Sequence, residues 1–162
     1  MNSYNRGNQQ WSGQRNNPYG SGGAKQDSTS VEIQELSKDI KKALDYYKNN
    51  DTSEFQNHMS ARVINNCKSR GGGKTKWHEY LAMVRRLKAY IEQPQNKGTW
   101  QKEAYRVSIL LKYMTAKQGG PMFPAVVADV IVEKVINSSK EDAIIYLKGL
   151  ELIISAIRVE VR

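Results

Sequence analysis

Residues 75–91, TKWHEYLAMVRRLKAYI, contain the clearest structural pattern in this chain. Large apolar side chains recur at steps of three and four residues, which is the spacing of one face of an α-helix. This apolar stripe consists of Trp77, Tyr80, Leu81, Val84, Leu87 and Ile91. Arg85, Arg86 and Lys88 lie off the stripe. We therefore predict an amphipathic helix that Thr75 can cap and that ends before Pro94, because the residue before proline avoids the helical conformation.

The same periodicity continues upstream and downstream, and no segment shows the alternation of a strand. Upstream, a helix from Thr29 to about residue 47 precedes a shorter one, capped by Asp51, that ends before the glycines at 71–73. Downstream, residues 99–118 predict a helix whose inward side chains are Trp100, Ala104, Val107, Leu110, Leu111 and Met114. Pro124 suits the first turn of a fifth helix, and Ser138 can cap a sixth. The prediction is an all-α fold, a compact bundle of about five to six helices over residues 29–162.

Residues 1–28 are rich in Asn, Gln, Gly and Ser and contain almost no aliphatic residue. Such a segment cannot bury enough apolar surface to offset the entropy of ordering, so we predict a disordered N-terminal tail. Within it, Arg6, Trp11, Arg15 and Tyr19 alternate cation and aromatic ring, which in single-strand binders permits base stacking beside phosphate contact. A solubilising tail without a partner is the simpler interpretation.

The 162 residues have a formal net charge of +9, and this charge is unevenly distributed. Residues 1–67 contain 8 Lys and Arg against 7 Asp and Glu, residues 68–117 contain 12 against 3, and residues 118–162 contain 5 against 6. The middle third therefore supplies the whole excess. A surface of one sign raises self-repulsion unless an anionic partner neutralises it, which points to nucleic acid or another polyanion.

Cysteine usage and hydropathy bear on the compartment. Cys67 is the single cysteine, so the chain has no internal disulfide and no sign of an oxidising environment. No early apolar run resembles a signal peptide. The most apolar stretch, residues 143–161, is interrupted by Lys148, Glu151, Arg158 and Glu160, which favours a buried helix over a membrane span. We expect a cytoplasmic protein that does not contact a membrane.

The segment SRGGGKT, residues 69–75, resembles part of a phosphate-binding loop, in which glycine backbone, Lys and Thr hold phosphate and magnesium. The spacing is wrong, because the pattern needs a glycine where this chain has Lys68, and no strand precedes it. We therefore do not expect nucleotide hydrolysis. Two interpretations remain: a mobile basic loop that only joins two helices, or a loop that contacts nucleic-acid phosphates through free amides and its cations.

No residues suggest catalysis, a cofactor or a metal. His58 and His78 are the only histidines, and neither has a second ligand at metal-binding spacing. The acids of the middle third, Glu79, Glu92 and Glu103, show no paired arrangement, and no serine or cysteine has a plausible base beside it. We therefore expect a protein that is not an enzyme and that binds its partner without a cofactor.

The central cations are the candidate nucleic-acid-binding residues. A solvated face that only keeps the protein soluble is the alternative, but such faces normally mix both signs. Because no base-reading motif accompanies the charge, contact is expected with phosphate and sugar, and it should depend strongly on salt. The candidates are Lys68, Arg70, Lys74, Lys76, Arg85, Arg86, Lys88, Arg106, Lys112 and Lys117.

Two segments resemble a known family. LLKYMTAKQGG, residues 110–120, is similar to a helix that ends in a Leu-Leu-x-Tyr run followed by a basic residue and glycine, and GKTKWHEYLAMVRRL, residues 73–87, is similar to the Thr-started helix before it. With the two apolar helices that close the chain, residues 30–162 resemble the small all-helical subunit of type III-A (Csm) CRISPR effector complexes. The chain departs from the family where His78 and Glu79 stand in place of an arginine in the first turns.

The resemblance implies a role in antiviral defence. It implies a non-catalytic subunit that stacks with copies of itself and with other CRISPR effector subunits, and that contacts the guide RNA and target RNA backbone within a ribonucleoprotein complex. Lys112 and Lys117 match the family's basic positions. The alternatives are a free-standing, sequence-nonspecific RNA or single-stranded DNA binding protein that uses the basic helices and the tail, and a scaffold for acidic proteins.

Overall fold

The computed structural model describes residues 29–96 and 98–161. The chain divides into two compact units, Met1–Glu32 and Ile33–Arg162, and of the first the structure describes the helical residues 29–32. Within the described residues all regular structure is helical, which confirms the predicted all-α bundle. The predicted tail, with Arg6, Trp11, Arg15 and Tyr19, lies outside the described residues.

The described part of the chain forms six helices in the order that the sequence predicts. They are α1 (residues 29–48), α2 (Thr52–His58, continued by Met59–Val63 and Ile64–Cys67), α3 (Lys74–Glu92), α4 (Trp100–Ala116), α5 (Phe123–Val130, continued by Ile131–Val135) and α6 (Lys140–Glu160). A 3-10 turn, Pro94–Asn96, lies between α3 and α4. Two segments, Met59–Val63 and Ile131–Val135, are π-helical, which the apolar periodicity alone did not predict.

The residues that begin the helices are not always those that the sequence suggests. The Asp51 carboxylate accepts the backbone N–H of Glu54 at 3.3 Å, so the predicted cap of α2 is confirmed. The predictions for α3 and α6 are wrong by one or two residues. Gly73, with extended backbone, precedes α3 in place of Thr75. Ser139 caps α6, because the Ser138 hydroxyl instead donates to the Lys134 carbonyl at the end of α5.

The core of the second unit forms where α3 packs along α6 and α4 packs along α5. Trp77 and Tyr80 of α3 meet Phe123 of α5, and the Trp77 and Phe123 ring centroids lie 4.4 Å apart. Gly149 lets α6 approach α1 closely, since a Cβ atom there would lie 2.7 Å from Leu44 Cδ2. The rings of Trp77, Tyr80 and Phe123 thus join the two helix pairs.

The final helix is largely buried, as its apolar sequence predicts. α6 buries Ala143, Tyr146, Leu147, Gly149, Leu150, Ile153, Ile154 and Ile157. Lys148 is exposed, and Glu151 forms ion pairs with cations of α3. Among the described helices, none is both long enough and apolar enough to cross a membrane.

Candidate nucleic-acid interface

The glycine loop, residues 68–73, is bonded to the core at three consecutive carbonyls. Phe123 N–H donates to the Arg70 carbonyl at 2.8 Å, the Tyr80 hydroxyl donates to the Gly71 carbonyl at 2.6 Å, and Trp77 Nε1 donates to the Gly72 carbonyl at 3.2 Å. Because its carbonyls face inward, the loop is more than a simple connection between two helices.

Packing explains Gly71 and backbone conformation explains Gly72, without a bound nucleotide. A Cβ atom on Gly71 would lie 2.5 Å from Trp77 Cε2 and closer still to Cζ2. These distances are shorter than van der Waals contact, and the Trp77 ring is fully buried. Gly72 has φ of +85°, a left-handed conformation that side chains rarely adopt. Gly73 has open space around its Cα. Gly72 and Gly73 are exposed, and neither N–H group has an acceptor within the described residues.

Four of the candidate cations form ion pairs with carboxylates of the same chain. Lys76 pairs with Glu79 at 3.5 Å, and Arg106 pairs with Glu103 at 2.6 Å; both pairs join residues three apart on one helix. Such exposed pairs are easily exchanged for another anion, because each contributes at most about 1 kcal/mol.

The other two neutralised cations share one carboxylate. Arg85 Nε and Lys88 Nζ of α3 bind Glu151 of α6 at 2.7 and 2.9 Å. Burial tends to raise the pKa of Glu151, but the hydrogen bonds from Arg85 and Lys88 and their charges outweigh it and hold the pKa below its usual value. Arg85 and Lys88 therefore face α6 and tie two helices together, which separates them from the remaining cations of the middle third.

Five candidates make no ion pair within the described residues. They are Lys68, Lys74, Arg86, Lys112 and Lys117, and all five are exposed. Arg70 is half-buried and donates from Nη1 to Ser69 Oγ at 3.1 Å. Apart from Arg70, the structure thus divides the predicted residues into four that form ion pairs within the chain and five that are available to an external anion.

The end of α4 and the glycine loop meet at the start of α5. In the first turn of α5, the Ala125 N–H donates to Thr115 Oγ1 of α4 at 2.9 Å. The Phe123 N–H, two residues before Ala125, donates to the Arg70 carbonyl of the glycine loop. Lys117 follows Thr115, and Lys68 and Lys74 flank the glycines. This end of the bundle therefore collects cations from two separate stretches of sequence.

A groove of about 420 Å³ lies between α3 and α4. Its walls include Met83 and Leu87 of α3 and Val107 of α4, and its lining also includes Arg86 and Arg106. The groove therefore brings one cation from each helix to the same apolar surface.

The outward side of α4 is the part of the site that the sequence prediction missed. Tyr105, Ile109, Leu110 and Tyr113 are 55%, 52%, 43% and 69% exposed. Leu110 was predicted to point inward; it does not, because its neighbour Leu111 lies on the narrow buried face and one residue turns a helix by about 100°. Trp100, Ala104, Val107 and Leu111 are buried as predicted, and Met114 is half-buried.

Cations alternate with these exposed apolar residues. We call the surface formed by Lys102, Tyr105, Arg106, Ile109, Lys112 and Tyr113 the α4 basic face. Lys102 and Lys112 make no ion pair within the described residues, and neither tyrosine ring has a ring or hydrogen-bond partner there. A helical wheel would have revealed this face in the sequence, because it lies on the side of α4 opposite the buried Trp100, Ala104 and Leu111.

Within the described residues, no three His, Cys, Asp or Glu side chains gather as metal ligands would. His78 instead contacts Arg158, whose Nη1 lies 2.6 Å from His78 Nε2. Comparisons with known proteins gave no match: no protein-family model, no curated protein and no solved structure matches this chain. The geometry of the surface and the resemblance noted in the sequence are therefore the basis for a proposal about function.

Proposed function

We propose that this chain is a non-catalytic nucleic-acid-binding protein, the small subunit of a type III CRISPR RNA-guided interference complex. One observation supports the binding role above all. Of the ten candidate cations, the five that make no ion pair within the described residues lie on α4 or at its end, beside the groove and around the glycine loop.

The electrostatics of these residues favour a polyanionic partner. Cations of one sign on neighbouring helices repel one another, and a phosphate backbone relieves that repulsion. The N–H groups of Gly72 and Gly73, which have no acceptor within the described residues, can also donate to phosphate oxygens beside Lys74. Neither lysines nor backbone amides read base edges, so this contact is insensitive to sequence and weakens as salt rises.

The place of this binding within a larger assembly is supported by the resemblance of residues 30–162 to the Csm small subunit. In this proposal the chain acts in antiviral defence in the cytoplasm, contacts guide RNA and target RNA backbone, and touches other CRISPR effector subunits and further copies of itself. Lys112 and Lys117, which match the family's basic positions, are both exposed and without an internal ion pair.

The assembly is tested by purifying a tagged chain from its native cell and identifying what accompanies it. The expected result is a set of effector subunits together with RNA transcribed from CRISPR arrays. A matched chain with Arg86→Glu, Lys112→Glu and Lys117→Glu should retain less of that RNA. Recovery of neither effector subunits nor guide RNA would contradict the subunit assignment.

A free-standing binder of RNA or single-stranded DNA is the second candidate, because Arg6, Trp11, Arg15 and Tyr19 alternate in the N-terminal segment. Deleting residues 1–28 separates the two. A free-standing binder that depends on this segment loses most of its affinity, whereas a subunit that binds through the helices keeps it.

A further inference from the structure

The exposed rings of α4 are unusual within this bundle. Trp77, Tyr80 and Phe123 are fully buried and packed on one another, whereas Tyr113 leaves 69% and Tyr105 leaves 55% of its surface in solvent. Neither of the two tyrosines has a ring, hydrogen-bond or ion-pair partner for its side chain among the described residues. Rings left uncovered in this way are available to a ligand with flat apolar surfaces.

The spacing along α4 places cations between these rings. Tyr105 and Tyr113 are eight residues apart, which corresponds to about 12 Å along a helix axis. Arg106 and Lys112 lie between them in the sequence, and Lys102 lies one turn before Tyr105. A partner of this face must therefore offer negative charge and apolar planes in alternation.

We propose that the α4 basic face binds an unpaired nucleic-acid strand, with bases stacked on Tyr105 and Tyr113 and phosphates against Lys102, Arg106 and Lys112. This inference rests on the proposed function and narrows its substrate to a single strand. Stacking on aromatic side chains accepts every base, because every base has a π-face.

The same face fits other partners less well. In a duplex the flat faces of the bases are stacked on one another and cannot reach Tyr105 or Tyr113. A second copy of the chain docked symmetrically on this face would oppose cation to cation. An acidic peptide would match the charge but supplies few flat surfaces for the rings, and it serves as a competing ligand in the test.

The test measures binding of the full chain to a fluorescent 20-nucleotide uridine RNA, the matching deoxythymidine strand and an RNA duplex of equal length. The double variant Tyr105→Ala and Tyr113→Ala should weaken binding to either single strand by about fivefold or more for each ring removed. Its affinity for the duplex should stay unchanged. Its salt dependence should also be unchanged, since no charge is altered.

Two matched variants separate stacking from structure. Tyr105→Phe with Tyr113→Phe keeps both rings and should bind as the original chain does. Leu152→Ala removes an apolar side chain of α6 that is 47% exposed and lines a different groove beside α2, and this change should have no effect.

Each outcome bears on a separate claim. If the original chain binds the strands and the alanine double variant binds them equally well, stacking is wrong while backbone binding stands. Equal weakening on the duplex, or displacement of the strand by a glutamate-rich peptide at similar concentration, also overturns the inference. If the original chain binds no nucleic acid at all, both the proposed function and this inference fail.

Discussion

Replacing Gly71 with alanine tests whether the glycine loop is a shaped part of the fold. The added Cβ atom would lie 2.5 Å from Trp77 Cε2 and 2.9 Å from Trp77 Nε1, against a ring that Phe123 and Tyr80 hold in place. Overfilling a packed core costs about 1–3 kcal/mol. If the loop moves to avoid the clash, it also breaks the bonds from Trp77 and Tyr80 to the loop carbonyls, at about 1 kcal/mol each. Less chain entropy in the unfolded state offsets part of this cost, so we expect a loss of about 3 kcal/mol.

The assay is thermal and urea unfolding followed by circular dichroism. In a chain of this size a loss of about 3 kcal/mol lowers the Tm by about 10 °C. Gly73→Ala is the matched control, because a Cβ atom there has nothing within 4 Å and its φ of −74° suits any residue. If Gly71→Ala and Gly73→Ala unfold at the same temperature, the loop is not held against the aromatic core as described.

Three further predictions follow from single contacts. Asp51→Ala should lower the stability by about 1 kcal/mol through loss of the α2 cap, while Asp51→Asn should keep most of it; equal losses in urea unfolding would contradict the cap. The Glu151 pKa is lowered in the folded chain, so its contribution is present above the unfolded pKa and is lost as pH falls through the folded value. Glu151→Gln should therefore destabilise the chain at pH 7 and progressively less toward pH 3, and a loss independent of pH would refute this. Burial raises the pKa of Cys67 to about 12, so a thiol reagent at pH 8 should label the unfolded chain rapidly and the folded chain only as it opens; immediate labelling of the folded chain would contradict the burial.

Local patterns were sufficient to predict the helices. The stripe of Trp77, Leu81 and Val84 marks α3, and prolines and glycines mark the breaks on either side. Each of these signals involves residues that are close together in the sequence, so a single sequence is enough to detect them. The apolar character of α6 likewise predicts its burial.

Contacts between distant residues could not be read in the same way. Glu151 lies 66 residues from Arg85 and 63 from Lys88, so no local pattern reveals that it neutralises both cations. The cap of α6 moved by one residue because Ser138 bonds to the preceding helix instead. The sequence thus predicted which region is cationic, and only the packing separated its paired cations from those left without an ion pair.

The exposed side of α4 is an intermediate case. Tyr105, Ile109 and Tyr113 share one side of a helical wheel, so their position was available from the sequence. Of the apolar residues exposed on α4, Leu110 was predicted to point inward, because apolar residues are mostly buried. The side of a helix that stays exposed depends on the helices around it, here α3 and α5.

In our proposal, the position of the unpaired cations on the bundle, and not the net charge alone, determines the affinity of the chain for a phosphate backbone. This claim is tested by the slope of log binding constant against log salt concentration for a single-stranded RNA. Changing Arg86, Lys102, Lys112 and Lys117 to glutamine should reduce that slope by up to about 3, since each lost phosphate contact removes about 0.7.

The matched control changes four other cations to glutamine and lowers the net charge by the same amount. These four, which make no ion pair within the described residues, are Lys38, Lys42, Lys140 and Lys148. This control should keep a slope near that of the original chain, whereas the first variant should lose most of its slope. Equal slopes for the two variants would contradict the claim.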